Sequence, residues 1–379
     1  IGMYVDNMPL LDKSVFDFDF MDVRQIEVLR GPQGTLYGRN AMGGIVNIYT
    51  HSPLEQPRTK ITLTAGNYGL LRAKAGTSFR VADNVGISLN AYYDGNDGYF
   101  KFKDSDRRVD QSRAGGGRFR LDWLINPQWT AQLMANYDYS DQGAFPYGVY
   151  TDGEIDRPDY NYPGKYIRQS ASGNLNLQYK NDQIAFNSST GFLYFDDNMD
   201  MDIDYGPKDI FSINQKQDSR AWTEELTLKS NTDRNYQWSF GVFGFYNDLK
   251  TNVLTTMGKD GIADNIEGPM LGNLPPIVKI TVADESLPMP GHFETPSYGG
   301  AIFHQSTYNN LFTEGLSVTA GIRLDYEKAK LDYLTNSGMT LNMSVPGRPP
   351  FSAAIDTIIN GKSDMSFTEV LPKASVKYE

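Results

Sequence analysis

The chain has 379 residues, a net charge of −11 and no cysteine, which excludes a disulfide framework and a thiolate metal site. The acidic balance disfavours nucleic acid as a partner. Aromatic residues make up 13% of the chain, the mean hydropathy is −0.47, and no apolar run reaches the ~18 residues of a membrane helix. Strands of a membrane barrel escape this test because their apolar residues alternate with polar ones, so a soluble fold and a β-barrel both stay open.

The first residues, Ile1 to Asp6, have the pattern of a strand already under way. The start of the chain does not show the charged segment followed by an apolar segment that a secretory signal would require. The last residues, Lys377 to Glu379, lie inside another alternating pattern. We therefore expect a fragment that is cut at both ends.

The most informative stretch is residues 26–50, which contains two short apolar runs, 26–29 and 45–48, separated by a loop with five glycines. Glycine permits positive φ and the close approach of another backbone. The pattern therefore predicts two short strands joined by a loop whose backbone conformation matters more than its side chains. The stretch reads IEVLRGPQGTLYGRNAMGGIVNIYT.

From Arg58 to the end, segments of alternating apolar and polar residues follow one another, and we count about twelve predicted strands. Many of them reach the ~9–11 residues that a strand needs to cross a bilayer. We expect antiparallel pairing between sequential neighbours and a tilt of ~35–45°. The alternation predicts that five aromatic side chains face outward: Trp123, Trp129, Tyr137, Tyr139 and Trp238.

The predicted connections alternate between short and long, apart from a tight first turn at residues 67–69. Short ones fall at residues 82–84, 126–127, 181–182, 231–235 and 309–315. Long ones fall at residues 96–111, 141–168, 197–216, 251–296 and 334–363. Short turns at one end and long loops at the other are typical of transmembrane barrels, whereas a soluble sandwich has no reason to keep its long loops at one end.

The string at residues 26–50 resembles the end of the plug domain of TonB-dependent outer-membrane receptors. The resemblance implies a small α+β plug segment over residues 1–52 and a barrel over residues 53–379, with about twelve of an expected 22 strands present. It also implies that the start of the plug and the TonB box lie before Ile1. The plug-motif residues are Glu27, Arg30, Gly31, Pro32, Tyr37, Gly38, Arg39, Gly43, Gly44 and Asn47.

In the family that the chain resembles, plug arginines pair with glutamates on the inner barrel wall. Alternation turns Glu225 inward, so we expect it to contact Arg30 or Arg39; the alternative is that Arg30 only ties plug loops together. The same alternation sends the neighbouring Glu224 outward beside Trp222, which fits only a position near the membrane interface.

The loop at residues 141–168 is rich in tyrosine. Tyr147, Tyr150, Tyr160 and Tyr162 offer rigid apolar faces and hydroxyl groups, so we expect them to contact ligand. The alternative is that they pack against neighbouring loops or form an aromatic girdle. We expect ligand selectivity to lie in this loop and in the loop at residues 251–296.

No metal site and no enzyme activity are expected. The three histidines lack metal-ligand spacing, and the aspartates at positions 200, 202 and 204 lack the closing Gly and Glu of an EF-hand. A solvated loop is therefore favoured over a calcium site. No Ser/His/Asp set, phosphate loop or paired carboxylates in a cleft is apparent.

The resemblance implies active import across the outer membrane of a Gram-negative bacterium, with an iron–siderophore complex as the leading ligand and no intrinsic cofactor. Expected partners are the TonB–ExbB–ExbD complex, through a segment absent from this chain, outer-membrane lipid and a small-molecule ligand. Alternatives within transporters are haem, cobalamin and glycan importers; the glycan branch usually lacks the Arg-Gly-Pro found here at residues 30–32. A passive porin or an adhesin-type barrel is the alternative from another class, but a porin has no separate domain before its first strand.

Overall fold

The computed structural model describes residues 2–11, 15–16, 22–31, 43–148, 150–151, 153–162, 164–275 and 277–378. Its N-terminal part is a four-stranded mixed sheet of order β2-β1-β4-β3, in which β1 and β4 are parallel and the other neighbours antiparallel. The described part of this segment contains strands and no α-helix, so the helix implied by an α+β plug is not seen there. The strands are β1 (Gly2–Val5), β2 (Met8–Leu10), β3 (Val23–Arg30) and β4 (Gly44–Thr50).

Two local features of the sequence shape this small sheet. Asp6 and Asn7 form the β1–β2 turn with φ of 46° and 71°, the left-handed conformation of a two-residue type I′ hairpin, which Asp and Asn tolerate. Gly44 opens β4 with φ of 126°, and a Cβ there would lie 2.5 Å from the carbonyl oxygen of Leu29 on the paired strand. One glycine of the predicted loop is therefore required by close backbone approach.

Among the described residues after β4, fourteen strands form a second sheet that is paired antiparallel throughout. Its members are β5 (Arg58–Ala65), β6 (Leu71–Ala82), β7 (Val85–Asn96), β8 (Ser112–Leu124), β9 (Trp129–Gly143), β12 (Lys165–Lys180), β13 (Ile184–Asp202), β14 (Phe211–Ser230), β15 (Tyr236–Met257), β16 (Lys279–Val282), β17 (Leu287–Glu294), β18 (Ser297–Tyr308), β19 (Leu316–Ser344) and β20 (Phe351–Tyr378).

The prediction of about twelve wall strands agrees with this sheet. Only Thr295 and Pro296 separate β17 from β18, and both strands lie between β15 and β19, so they form one interrupted wall strand. The four-residue β16 pairs only with the far end of β19. The connection between β4 and β5 contains the predicted domain boundary at residues 52–53, which stays a prediction.

The short turns lie where the alternation predicted them, but four of the long connections contain regular structure. Residues 197–216 and 334–363 are largely strand, because β13 and β14, and then β19 and β20, stay hydrogen-bonded as hairpins well past the ~9–11 residues of a bilayer crossing. The segment 251–296 contains helical turns at Lys259–Ile262, Ala263–Glu267 and Gly268–Gly272 besides β16 and β17. The segment 141–168 includes a two-stranded hairpin, β10 (Tyr150–Thr151) and β11 (Glu154–Ile155).

The two faces of the large sheet differ in chemistry. We call the face that contacts the N-terminal sheet the inner face. The opposite, outer face carries a broad band of exposed apolar side chains, among them Trp222, Leu226, Phe240, Ile302 and Ile322. Such a band on a sheet with a polar inner face is the pattern of a membrane barrel. Within the described residues, no helix is long and apolar enough to cross a membrane.

The predicted outward aromatics lie on this outer face. Trp123, Tyr137 and Tyr139 are exposed. By strand alternation Trp129 and Trp238 lie on the same face, and Trp129 packs on Tyr179 with ring centroids 5.1 Å apart. The prediction for these five residues is confirmed.

A pair of neighbouring substitutions on β14 tests the assignment of the faces. Leu226→Arg puts a charge on the apolar face, which should destabilise the barrel by up to about 2–4 kcal/mol, the cost that applies at the bilayer midplane. Thr227→Arg points to the polar inner face and should be tolerated. The measurement is the heat-modifiable, folded fraction of the full-length protein in isolated outer membranes. Equal loss of folded protein for both variants would contradict the assignment.

Candidate functional site

The N-terminal sheet is joined to the inner face by a polar network around Arg120 on β8. The Arg120 guanidinium donates to the Thr50 carbonyl oxygen at 3.1 Å and to Thr50 Oγ1 at 2.7 Å. It also binds both carboxylate oxygens of Asp122 on the same strand, at 2.8 and 2.9 Å. The Thr50 backbone N–H and hydroxyl donate to the Asp6 carboxylate at 2.9 and 2.7 Å. One oxygen of this carboxylate lies 3.6 Å from the Arg120 guanidinium.

This network is withdrawn from water. Arg120, Asp122 and Asp6 are exposed by only 5%, 1% and 6%. Buried charges are tolerated when they are paired and hydrogen-bonded, and here one guanidinium faces two carboxylates. Ser52 extends the network into the connection after β4, because its hydroxyl donates to Asp122 at 2.6 Å. The end of the small sheet is thereby fixed to the wall.

A second polar contact holds the β1–β2 turn. The side-chain amides of Asn174 and Asn176 on β12 donate to the Asp6 carbonyl oxygen at 3.1 and 3.0 Å. The Ser189 hydroxyl on β13 donates to the Asn7 carbonyl oxygen at 3.5 Å. The left-handed conformation of the turn thus presents two consecutive carbonyl groups to the wall.

An apolar cluster completes the contact between the two sheets. Gly191 on β13 leaves room for it, since a Cβ there would lie 3.2 Å from Met8 Cγ. Removal of this apolar surface from water stabilises the seated sheet, and the polar contacts fix its position. The buried members of the cluster are Val5, Met8, Leu10, Val15 and Ile48 from the N-terminal segment and Leu193, Phe195 and Ala221 from the wall.

The residues of the predicted plug motif are only partly within the described chain. Glu27 and Arg30 lie on β3, where Glu27 accepts a hydrogen bond from Gln25 at 2.7 Å and Arg30 is exposed. Asn47 is buried on β4. Gly31 has φ of 82°, and Gly43 directly precedes β4. Pro32, Tyr37, Gly38 and Arg39 lie outside the described residues.

Glu225 lies on the inner face, as alternation predicted. With Asn47, Asn187 and Gln305 it lines a cavity of about 550 Å³ between the N-terminal sheet and the wall. Within the described part of the chain it forms no ion pair with Arg30. Its pairing with Arg39 stays a prediction.

Glu224 lies on the outer face, and the structure supplies its partners. Its carboxylate accepts hydrogen bonds from the hydroxyls of Ser188 and Thr190 on β13, at 2.8 and 2.5 Å. These two bonds satisfy the carboxylate on an otherwise apolar face, which alternation alone did not explain.

The tyrosine loop is packed against its neighbours. Tyr160 lies between Phe102 and Tyr205, with ring centroids 5.4 and 6.2 Å apart, and Tyr147 packs on Tyr205 at 4.5 Å. A backbone hydrogen bond from the Lys103 N–H to the Pro158 carbonyl oxygen, at 2.9 Å, also joins two of these loops. Three loops, at residues 97–111, 144–164 and 203–210, therefore form one body, which we call the aromatic loop cluster.

The four predicted tyrosines have different surroundings in this cluster. Burial raises the pKa of the Tyr160 phenol, with Tyr205 and Asp202 adding to the effect, so Tyr160 stays protonated and donates to the Phe145 carbonyl oxygen. Burial also raises the pKa of Tyr162, whose hydroxyl donates to Asp200 at 3.4 Å. Tyr147 is 54% exposed and Tyr150 72% exposed. Tyr147 and Tyr160 thus pack against neighbouring loops, which was the alternative to ligand contact. Tyr150 is the most exposed of the four rings.

Sequence reasoning missed Phe102 and Tyr205, because neither lies in the tyrosine-rich loop. It also favoured a solvated loop for the aspartates at positions 200, 202 and 204, whereas Asp202 is the buried last residue of β13. Asp202 accepts bonds from the N–H groups of Asp204 and Tyr205 at 3.1 and 3.0 Å, so it shapes the turn. No group of three or more His, Asp or Glu side chains in the described ranges is arranged to hold a metal ion.

Replacing Arg120 should weaken the seat of the N-terminal sheet. Arg120→Ala leaves Asp6 and Asp122 buried without their cation, and breaking a buried pair in this way costs about 3–5 kcal/mol. The matched control is Arg72→Ala, which removes a solvent-exposed ion pair to Asp94 worth about 0–1 kcal/mol. Hydrogen exchange of full-length protein should rise in β1 and β4 for Arg120→Ala only. Unchanged protection of these strands would contradict the role of the network.

Comparison with known proteins agrees with this architecture. Residues 1–45 match the family TonB-dependent Receptor Plug Domain. A curated relative, the pesticin receptor of Yersinia enterocolitica, is 39% identical over 85 residues, which cover 22% of this chain and 12% of the relative.

Two solved structures are similar over the whole chain. The ferric yersiniabactin uptake receptor FyuA from Yersinia pestis has a TM-score of 0.74 at 21% identity, covering 100% of this chain and 53% of that one. The siderophore receptor PiuA from Acinetobacter baumannii has a TM-score of 0.68 at 13% identity, covering 100% of this chain and 55% of that one. The chain thus spans about half the length of these receptors. The chain therefore resembles TonB-dependent receptors in the plug-domain match over residues 1–45, and it shares its overall fold with these two outer-membrane receptors.

Proposed function

We propose that the full-length protein imports a scarce ligand across the outer membrane, and that this ligand is an iron–siderophore complex. The observation that carries the proposal is the seat of the N-terminal sheet on the inner face, held by the Arg120 network and the apolar cluster. A passive porin has no such separate unit in its lumen. The siderophore receptors among the similar structures support the choice of ligand class.

The contact between sheet and wall is suited to a plug that moves. Cavities of about 550 and 500 Å³ remain between the described N-terminal segment and the wall, which leaves space for the segment to shift. A pull on the plug would have to break the buried hydrogen bonds of the Arg120 network. We propose that the TonB–ExbB–ExbD complex supplies this pull, through a segment outside the chain, and that the wall strands stay in place.

The aromatic loop cluster is the proposed place of ligand capture, together with the segment 251–296. That segment is joined to the cluster, because the Asp209 N–H donates to Asp260 at 2.8 Å and Lys208 pairs with Asp264 at 2.9 Å. Selectivity then belongs to the joined loops as a unit. No intrinsic cofactor is needed for capture or transport, because the iron complex is the cargo.

Deletion of the full-length gene tests the proposal. Under iron limitation, the deleted strain should lose growth on one ferric siderophore supplied as the sole iron source. A plasmid copy of the gene should restore this growth only if the strain also has TonB. Haem, cobalamin and a glycan serve as comparison nutrients. If growth is lost only on one of these comparison nutrients, that nutrient and not a ferric siderophore is the ligand. Restored growth without TonB would favour a passive porin.

Two tyrosine substitutions separate ligand contact from loop packing. Tyr150→Ala should weaken ligand binding by about twofold to tenfold, because an aromatic contact is worth about 0.5–1.5 kcal/mol, and should leave loop protection unchanged. Tyr160→Ala should raise hydrogen exchange in all three loops of the cluster. The measurements are equilibrium binding to cells lacking TonB and exchange in purified receptor. Wild-type binding by Tyr150→Ala would exclude this ring from the ligand site.

A further inference from the structure

Two aromatic rings lie side by side on the wall in a part that neither the Arg120 network nor the aromatic loop cluster includes. Phe293 on β17 pairs with Tyr333 on β19 in the sheet. Their ring centroids are 6.5 Å apart, and the angle between the ring planes is 19°. Both residues are half-buried. We call this pair of nearly parallel rings the aromatic shelf.

Two glycines let the rings lie against the sheet. A Cβ at Gly291 would lie 2.8 Å from Phe293 Cε2. A Cβ at Gly361, which pairs with Tyr333 across β19 and β20, would lie 2.8 Å from the Tyr333 hydroxyl oxygen. Each ring therefore occupies space that a side chain at the glycine would fill. The orientation of the shelf depends on the sequence of the wall itself and not on the packing of loops.

The shelf lies on the inner face, beside the seat of the N-terminal sheet. Leu249 on β15 packs against the apolar cluster that holds this sheet. Thr251 is two residues farther along β15, on the same face and about 7 Å away, and it pairs with Phe293. Because β15 runs from the short turn at residues 231–235 toward the segment 251–296, the shelf lies on the long-loop side of the seat.

The two faces of the wall differ at the level of the shelf. On the outer face, Lys250 forms an ion pair with Glu294 at 3.4 Å, so the apolar band that faces lipid has already ended there. On the inner face, the residues next to the rings are all uncharged: Thr251, Leu331, Thr335 and Ile359. The shelf is thus an uncharged aromatic surface that faces the lumen beyond the membrane level.

We propose that the aromatic shelf binds a planar, uncharged ring of the imported ligand by stacking, between the long loops and the seat of the N-terminal sheet. The inference rests on the proposed function and narrows its ligand to ferric complexes whose chelator carries such a ring. Offset-stacked aromatic rings stabilise each other beyond the area that they bury. The Tyr333 hydroxyl adds a hydrogen-bonding group at the edge of the surface.

Two ferric complexes that differ only by a ring test the site without transport. Ferric tris(benzohydroxamate) and ferric tris(acetohydroxamate) are both uncharged and hold iron through the same oxygen atoms, but only the first carries phenyl rings. In equilibrium dialysis with excess hydroxamate, purified full-length receptor should bind the benzohydroxamate complex about twofold to tenfold more tightly, as expected for an aromatic contact. Equal binding of the two complexes, or binding of neither, would overturn the ring site.

Substitutions on the shelf separate stacking from general apolar attraction. The double variant Phe293→Leu/Tyr333→Leu keeps apolar side chains but removes both ring faces, so the preference for the benzohydroxamate complex should fall at least twofold. Gly361→Ala keeps every ring but displaces that of Tyr333, so it should also reduce the preference. Tyr298→Leu, which removes an exposed ring of the outer face, is the control and should leave the preference unchanged.

The folded fraction of each variant is checked by heat modifiability. An unchanged preference in the folded double variant, or an equal loss in Tyr298→Leu, would overturn the assignment of the ring to the shelf.

Growth of the deleted strain separates this inference from the proposed function. If purified receptor shows the ring preference but the deletion leaves growth on every ferric siderophore unchanged, the proposed function is wrong and the ring site stands. If the deletion abolishes growth on a ferric siderophore but the receptor binds the two hydroxamate complexes equally, the proposed function stands and the ring site is wrong.

Discussion

The position of the N-terminal sheet depends on the hydrogen bonds and ion pairs of the Arg120 guanidinium. This guanidinium lies on the wall, binds Asp122 beside it, and reaches across to the end of β4 through Thr50. Because all of these groups are buried, none can exchange its partner for water without a large penalty. The directional bonds of this network therefore fix the position of the N-terminal sheet, while the apolar cluster stabilises the contact without fixing its geometry.

The same physical constraint explains the wall. Each strand places one set of side chains toward lipid and the alternate set toward the plug, so the sheet serves two solvents at once. Adjacent residues on β14 show this directly: Trp222 is exposed to the outside, Thr223 is buried on the inner face, and Glu224 returns outward. The outward carboxylate is acceptable only because two hydroxyls of β13 bind it. Polar groups on the inner face instead find partners in the plug or line the cavities beside it.

Much of the fold could be predicted from alternation, because a period of two specifies a face whatever the partner strand is. The strand count, the short turns and the outward aromatics follow from that. The site could be predicted less well. Because Trp123 was predicted to face outward, alternation also places Asp122 and Arg120 on the inner face, but it could not tell that Thr50, 70 positions away, would bind Arg120. The length of the β19–β20 hairpin was also missed, since nothing in a strand pattern marks the membrane surface. Tyr160 was predicted to contact ligand because its packing partners, Phe102 and Tyr205, come from two other loops and could not be recognised from the sequence of its own loop.

We propose that the N-terminal sheet leaves its seat on the wall during transport. A disulfide between β2 and β13 would prevent this movement, and it can be introduced alone because the 379 residues contain no cysteine. Met8→Cys and Gly191→Cys suit this purpose, because the Cβ at position 191 would lie 3.2 Å from the site of Met8 Cγ. Thr223→Ala removes an oxygen 2.5 Å from that Cβ and is also the control background. In full-length receptor, the oxidised pair should bind ligand normally but stop uptake, and a reductant should restore it. Uptake at the wild-type rate with the disulfide intact would contradict the account.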